Sequence, residues 1–400
     1  MKIVVSYGVG FKDGYAAVKR TVEIYNCAIR FLINIVKKEW PNIKDLPDLY
    51  RQSYIEKKIH NTARNKAIYD FDERFYKFPS YLRRSAINSA IGHVSAYMTN
   101  KAKGEELSLN IRHEMPVFYN EKMYKDGCIK VFRNNDWVWQ PIRLNKSDKR
   151  YLDKKIAEAG DVKVSAPVLC KKKNYYELRY TLTYYKDLTQ KPVADQVICV
   201  VDLGVNNDAV CSVLNSKGTV LARKFINLQA EKDHLNTILK RKSLFQSKHG
   251  VHDIACMSGI VKRINLNYSH KIAHEIVKFA RSQNCDVIVM EYLNIKKKHT
   301  ARNASWRYRA IQKTTESLAH QNGMRFSRVN ARNTSKLAYD GSGLVNRHKN
   351  CSICTFKTGK IYNCDLSASY NIGARYFLRE LELDIPVSQR TLSTLVNYYK

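Results

Sequence analysis

The sequence predicts a multidomain α/β protein, and three observations carry that expectation. Two short, almost purely apolar runs, 197–203 and 285–291, suit strands buried on both faces of a sheet. A long stretch, 228–282, carries apolar residues at helical spacing between them. Ahead of these, helical periodicity over 15–103 is bracketed by strand-like segments at 1–11 and 104–190. A chain of 400 residues has room for two to three domains of about 150 residues each.

In chain order, residues 1–14 hold a first strand, Lys-Ile-Val-Val-Ser-Tyr. Residues 15–103 form a helical lobe, with Val22, Tyr25, Ile29, Leu32 and Val36 on one stripe and Ile87, Ala90, Ile91, Val94 and Tyr97 on another. Pro41 and Pro47 mark a loop, and Phe78-Pro79-Ser80 reads as a helix start. Lys77, Arg83 and Arg84 lie here among many Tyr and Phe, a mixture that suits nucleic acid through charge and stacking as well as it suits a solvated helix face. Residues 104–190 read as β-structure, with Ile129–Phe132, Trp137–Trp139 and Tyr175–Tyr185 rich in β-favouring residues. Lys171, Lys172 and Lys173 form a cationic hairpin turn. The expectation is a β-barrel completed by the first strand, with the helical lobe inserted into it. A linker, 191–196, leads to the next domain.

Strands at 197–203, 208–214 and 218–225 follow, with Gly218 in the second hairpin turn. The 228–282 helices carry the stripe Met257, Ile260, Val261, Ile264, Tyr268, Ile272, Ile276 and Ala280. Then come strand 285–291, a helix near 305–322 and strand 325–330. Three hairpin-connected strands followed by αβ units match a ribonuclease H-like fold. In that fold the first and fourth strands are neighbours, which places Asp202 and Glu291 side by side.

These two acids close buried strands, where a carboxylate is costly to desolvate unless something pairs it. Asp365 opens a third distinctive segment, Asp-Leu-Ser-Ala-Ser-Tyr-Asn371. A lone Asp after a strand more often caps a turn, and Asp-Leu-Gly also occurs in actin-like ATPases and sugar kinases. Three acids converging would instead make a hard oxygen site for two Mg²⁺ or Mn²⁺ ions, as phosphodiester hydrolysis requires. Asn206 and Asn371 lie close enough in sequence to orient water or phosphate, or to cap turns. Lys296, Lys297 and Lys298 follow Glu291 and are placed either to hold phosphates or to face solvent.

Lys and Arg number 69 against 36 Asp and Glu, a formal charge of +33 that calls for a polyanionic partner and argues against a small acidic substrate. No apolar run approaches the ~18 residues that span a bilayer, and the start lacks an apolar signal core, so no membrane partner and a place in the prokaryotic cytosol are expected. The ten cysteines read as reduced core residues and not as a disulfide framework.

The segments Val201-Asp202-Leu-Gly-Val-Asn-Asn, Met290-Glu291-Tyr-Leu-Asn and Asp365-Leu-Ser-Ala-Ser-Tyr-Asn-Ile resemble the three RuvC motifs of TnpB-type transposon-encoded nucleases. Asn333-Thr334-Ser335 resembles that family's Tyr-Thr-Ser segment. Compact type V CRISPR effectors share the layout. The resemblance implies an RNA-guided DNA endonuclease, with a nuclease domain over 197–344, a target-nucleic-acid-binding insert over 345–364, the third motif and its helix over 365–385, and a tail from 386 to 400. It makes the N-terminal β-barrel a wedge and the helices a recognition lobe. The implied partners are double-stranded target DNA and a guide RNA, transposon-end or CRISPR-derived, the latter with or without a trans-activating RNA. The family inserts a four-cysteine zinc ribbon before the third acid. Here Cys351 and Cys354 supply one pair, only Cys364 follows, and His348 is tightly spaced. A degenerate hairpin without zinc is therefore expected, and Asp340–Gly343 reads as a loop over the site. The competing readings are a nuclease-inactive RNA-guided repressor and a ribonuclease H-like DDE transposase.

Overall fold

The computed structural model describes residues 1–104, 109, 114–119, 121–172, 174–204, 207–250, 255–292, 308–348 and 352–383. The chain divides into two compact units, Lys2–Tyr185 and Lys186–Lys400 together with Met1.

In the first unit, β1 (Lys2–Phe11) pairs antiparallel along its whole length with the last strand, β7 (Tyr176–Tyr185), from Lys2↔Tyr185 to Phe11↔Tyr176. Helices α1 (Tyr15–Ile43), α2 (Asp48–Ile59), α3 (Phe71–Arg74) and α4 (Ser80–Ala102) lie between them in sequence. The α1 stripe of Val22, Tyr25, Ile29, Leu32 and Val36 is buried with Leu82, Ala86, Ile87, Ala90 and Val94 of α4 in one core. Helix α1 runs through Pro41, where a loop is expected from sequence. A proline in the last turn forfeits only one helical hydrogen bond, so the turn survives it.

Strands β2 (Tyr124–Lys125), β3 (Cys128–Arg133) and β4 (Asp136–Pro141) form a separate meander. Asn134 and Asn135 join β3 to β4 with φ of 50° and 57°, the positive values a tight two-residue hairpin demands. Strands β5 (Val162–Val164) and β6 (Val168–Lys171) pair with β7. Among the described residues these strands make two sheets and no closed barrel, contrary to the sequence expectation. The meander turns to α1 instead, where Phe132 N–H donates to Thr21 Oγ1 at 2.8 Å. Isolated bridges at Phe11↔Leu144 and Val117↔Val168 and a ring contact of Tyr124 with Tyr180 link the flanking segments. The strand-like reading of 104–190 also misses α5 (Lys146–Ala159). Asn145 caps it by accepting from Ser147 N–H and Asp148 N–H, but Leu152 is its one buried residue, so its amphipathic signal is thin.

The second unit is a five-stranded sheet covered by helices. Its strands are β8 (Val197–Asp202), β9 (Ala209–Asn215), β10 (Val220–Ile226), β11 (Val287–Tyr292) and β12 (Arg325–Asn330), in spatial order β10-β9-β8-β11-β12. β8, β9 and β10 pair antiparallel, and β11 is parallel to both β8 and β12. The first and fourth strands are thus neighbours. Helices α6 (Gln229–His249), α7 (Ala255–Ser282) and α8 (Tyr308–Gln321) follow the sequence expectation in kind and order. A small sheet of β13 (Asn346–Arg347), β14 (Ile353–Thr355) and β15 (Ile361–Asn363) precedes the last helix, α9 (Cys364–Leu383).

Side-chain alternation sorts the two faces of the five-stranded sheet. Cys199, Val201, Ile288 and Met290 join Ile272, Ile276 and Ile311 of α7 and α8 in one core. Ile198, Val200, Val287 and Val289 join Leu366, Tyr370, Ile372 and Tyr376 of α9 in the other. No described helix is long and apolar enough to cross a membrane.

Candidate active site

The register of β8 and β11 brings Asp202 and Glu291 together. Met290 faces Val201 in parallel pairing, so the next step sets Glu291 beside Asp202. Asp202 continues the face of Ile198 and Val200, and Glu291 that of Val287 and Val289, so both belong to the α9 face. They lie at the carboxyl ends of parallel strands, where open α/β sheets bind ligands. Asp365 sits in the first turn of α9. Asn363 pins that turn: its Oδ1 accepts from Asp365 N–H and Leu366 N–H, each at 3.0 Å.

Burial pushes the Asp202 carboxyl well above the usual carboxylate range, and the charges of Glu291 and Asp365 push it further, with Arg347 opposing. Asp202 is half-buried at the end of its strand. Burial also raises Glu291, against a hydrogen bond from Thr334 and the charge of Arg375. As they stand, no three His, Cys, Asp or Glu side chains among the described residues are gathered closely enough to share one ion. Neighbours hold two of the acids instead. The Thr334 hydroxyl donates to Glu291 Oε1, and Asn207 Nδ2 donates to Asp365 Oδ2 at 3.1 Å. The donor set is all carboxylate oxygen and its mutual repulsion favours a cation, so it suits a hard divalent ion.

Asn371 does not reach an acid directly. Its Nδ2 donates to the carbonyls of Thr334 at 2.9 Å and Leu337 at 2.8 Å, which fixes the turn that delivers Thr334 to Glu291. Asn206 lies outside the described residues, and its neighbour Asn207 is the amide that touches Asp365. Nothing in the Asn-Asn pair distinguishes the two by sequence. Arg347 and Arg375 were also missed. Arg375 donates to Asn330 O at 2.7 Å and Arg347 to Ser335 O at 2.7 Å, so the two cations flank the acids from anchored positions.

The cationic candidates divide. Arg83 is buried and pairs with Glu56 at 3.1 Å and Asp72 at 3.9 Å, while Arg84 shares Glu56 at 3.1 Å. Arg83 and Arg84 therefore fasten α4 to α2, and Arg83 also to α3, while half of the Arg84 side chain stays exposed. Lys77 is exposed beside Asp136 at 3.8 Å, and Lys172 reaches Glu177 at 3.2 Å. Lys171 is exposed at the end of β6. Lys173, Lys296, Lys297 and Lys298 lie outside the described residues, as does Cys351.

The small sheet is held by aromatic packing. Tyr339 meets Phe356, Tyr362 and Tyr370 at centroid distances of 5.6, 5.2 and 5.1 Å. Cys354 and Cys364 are buried in the same cluster. Burial and the Cys354 thiol push the Cys364 thiol up to about 12, so it stays protonated. His348 Nε2 is engaged with Thr355 Oγ1 at 2.8 Å. The Asp340–Gly343 segment is the tip of a hydrogen-bonded hairpin, with a Leu337↔Leu344 bridge and Asp340 Oδ1 accepting from Ser342 N–H at 3.0 Å. Cys354→Ser is expected to cost only about 1 kcal/mol and leave the hairpin folded, because packing carries it. Elemental analysis checks the premise: one zinc per chain, lost on that substitution together with the hairpin, contradicts it.

A family model described as the Aq_aa04 family matches residues 9–135. No curated protein matches the sequence. Among solved structures, a Cas12f1–sgRNA–target DNA complex aligns over 93% of this chain and 98% of its own, at 13% identity and a TM-score of 0.50. The chain has that fold. A CRISPR-Cas12f ternary complex aligns over 89% of this chain and 80% of its own at 17% identity and a TM-score of 0.35. An AacC2c1–sgRNA binary complex aligns over 96% and 74% at 9% identity and a TM-score of 0.45.

Proposed function

We propose that the chain is an RNA-guided DNA endonuclease of the transposon-encoded or compact type V CRISPR kind, cutting phosphodiesters at a single RuvC-type site. The observation that carries this is the convergence of Asp202 and Glu291, at the carboxyl ends of two neighbouring central strands, with Asp365 of the helix on that face, in a fold shared with a Cas12f1 complex. Asp202, Glu291 and Asp365 would hold two Mg²⁺ or Mn²⁺ ions. Such ions, when bound, supply Lewis acidity at the scissile phosphodiester. Around them the chain's own groups have separate tasks. Thr334 and Asn207 orient two of the carboxylates, Asn371 anchors Thr334, and Arg347 and Arg375 limit the negative charge that the acids accumulate.

A net charge of +33 fits a guide RNA and a target duplex held along their backbones, with sequence read by base pairing. The alternative reading is RNA-guided DNA binding without cutting.

One preparation tests both. The chain purified from its host is expected to carry RNA, and sequencing that RNA identifies the guide. Supplied with a DNA target matching the guide and with Mg²⁺, it is expected to cut. Affinity should fall steeply with salt, with a log–log slope of about −0.9 per duplex phosphate contacted. Guided binding with no cutting selects the second reading. RNA-free protein, or salt-independent affinity, removes both.

A further inference from the structure

The N-terminal unit contains a cavity of about 770 Å³ that the acidic site does not use. One wall is a single face of α1, bearing Arg20, Arg30, Phe31 and Asn34 at helical spacing. A second wall is the end of α3 and the segment after it, with Arg74, Phe75 and Tyr76. The β3–β4 hairpin closes the third with Phe132, Asn135 and Trp137.

Its lining combines three guanidiniums, five aromatic rings besides Phe78, and two carboxamides, and it contains no carboxylate. Arg20 leans toward Glu23 at 3.5 Å. Among the described residues Arg30 and Arg74 make no ion pair. Arg30 donates only to the Cys27 sulfur at 3.3 Å, and Arg74 lies over the Phe31 ring at 5.3 Å. Two cations facing a cavity with no counter-charge favour an anion. The rings are braced against one another, with Phe31–Phe75 at 5.8 Å, Phe78–Trp137 at 5.4 Å and Phe132–Trp137 at 5.4 Å, so they present fixed surfaces for a planar group. Asn34 and Asn135 each add a paired donor and acceptor of the kind that reads base edges.

We propose that this cavity binds one nucleotide of a single strand, its base against the aromatic wall and its phosphate on Arg30 and Arg74. The volume lies within the range of ordinary ligand sites, about 300–1,000 Å³. A base enters such a cavity only when it is out of its stack, so duplex is excluded. The inference stands on the N-terminal unit alone and survives if the chain does not cut DNA.

The test uses the full chain freed of bound RNA, in a metal chelator. The probe is a short single-stranded oligonucleotide bearing 5-iodouracil, made once as RNA and once as DNA. Ultraviolet crosslinking is expected at Phe75, Tyr76 or Trp137. Tyr76→Ala should weaken binding by about tenfold, the scale of one lost base–ring stack. Arg30→Ala with Arg74→Ala should weaken it at least as much. Arg74→Lys should also weaken it, because a planar guanidinium stacks where an ammonium does not. Arg30, Arg74 and Tyr76 are exposed, and circular dichroism checks that each variant is folded. A tighter RNA arm assigns the cavity to the guide, and a tighter DNA arm to the target. Crosslinks wholly outside the cavity, or unchanged affinity in the folded double-arginine variant, overturn the proposal.

Discussion

Replacing Asp202 with asparagine is expected to end DNA cleavage while raising the stability of the metal-free protein at neutral pH. The loss of cleavage should be about a thousandfold or more, as when a single electrostatic stabiliser of a transition state is removed. Guided DNA binding should remain. The gain in stability follows from the position of Asp202, where burial and the charges of Glu291 and Asp365 raise its carboxyl well above the ordinary range. A carboxyl whose pKa is higher in the fold holds its proton more tightly there than in the unfolded chain. The contribution of Asp202 to stability is therefore greatest below the unfolded value of about 3.9. It falls as pH rises from there to the raised folded value, because across that window the unfolded state sheds its proton first. Asparagine has no charge to bury. Thermal melts in chelator should show Asp202→Asn melting above the parent at neutral pH, with the advantage shrinking in acid. Retained cutting, or a variant that melts lower at neutral pH, contradicts the assignment.

The second large effect is expected at Gly373, inside α9. A Cβ built there would clash with Leu214 Cδ1 and lie 3.0 Å from Val200 Cγ2. Both neighbours are buried side chains of the sheet, so α9 approaches closely because position 373 has no side chain. Gly373→Ala removes the glycine penalty in a helix, about 1 kcal/mol, and sets it against overpacking of about 1–3 kcal/mol. The alanine variant should lie between balance and a loss of about 2 kcal/mol. Gly373→Val adds two more methyl groups and loses most of the propensity gain, so it should destabilise by about 2 kcal/mol or more. The helix must then lift or shift, and Asp365 in its first turn moves with it. Denaturant unfolding together with a cleavage assay checks this. A valine variant with parental stability and activity would show that α9 does not set the position of Asp365.

Much of the second unit was legible in the sequence because its strands are apolar on both faces. Val-Ile-Cys-Val-Val before Asp202 and Val-Ile-Val-Met before Glu291 admit little else, and both are strands. The helical stripe of α1 was equally plain. Less legible was anything that depends on which surface a segment meets. The meander of β2, β3 and β4 has ordinary strand composition, and composition does not say that it packs on α1 instead of closing a barrel. Helix α5 is almost all surface, so periodicity had little to mark.

The sequence by itself singled out the three acids as candidates and determined the strands that carry two of them and the large positive charge. These are local properties of residue type and alternation. Only the tertiary structure decided the partners. It put Asn207 on Asp365, Thr334 on Glu291 and Asn371 behind Thr334, and it spent Arg83 and Arg84 on Glu56. It also gathered Arg30, Arg74 and Trp137 around one cavity from positions far apart in the chain. The reason is physical. A hydrogen bond or an ion pair forms within a few ångströms in space, and segments 43 residues apart, as Glu291 and Thr334 are, meet only after the sheet and its covering helices have chosen their register.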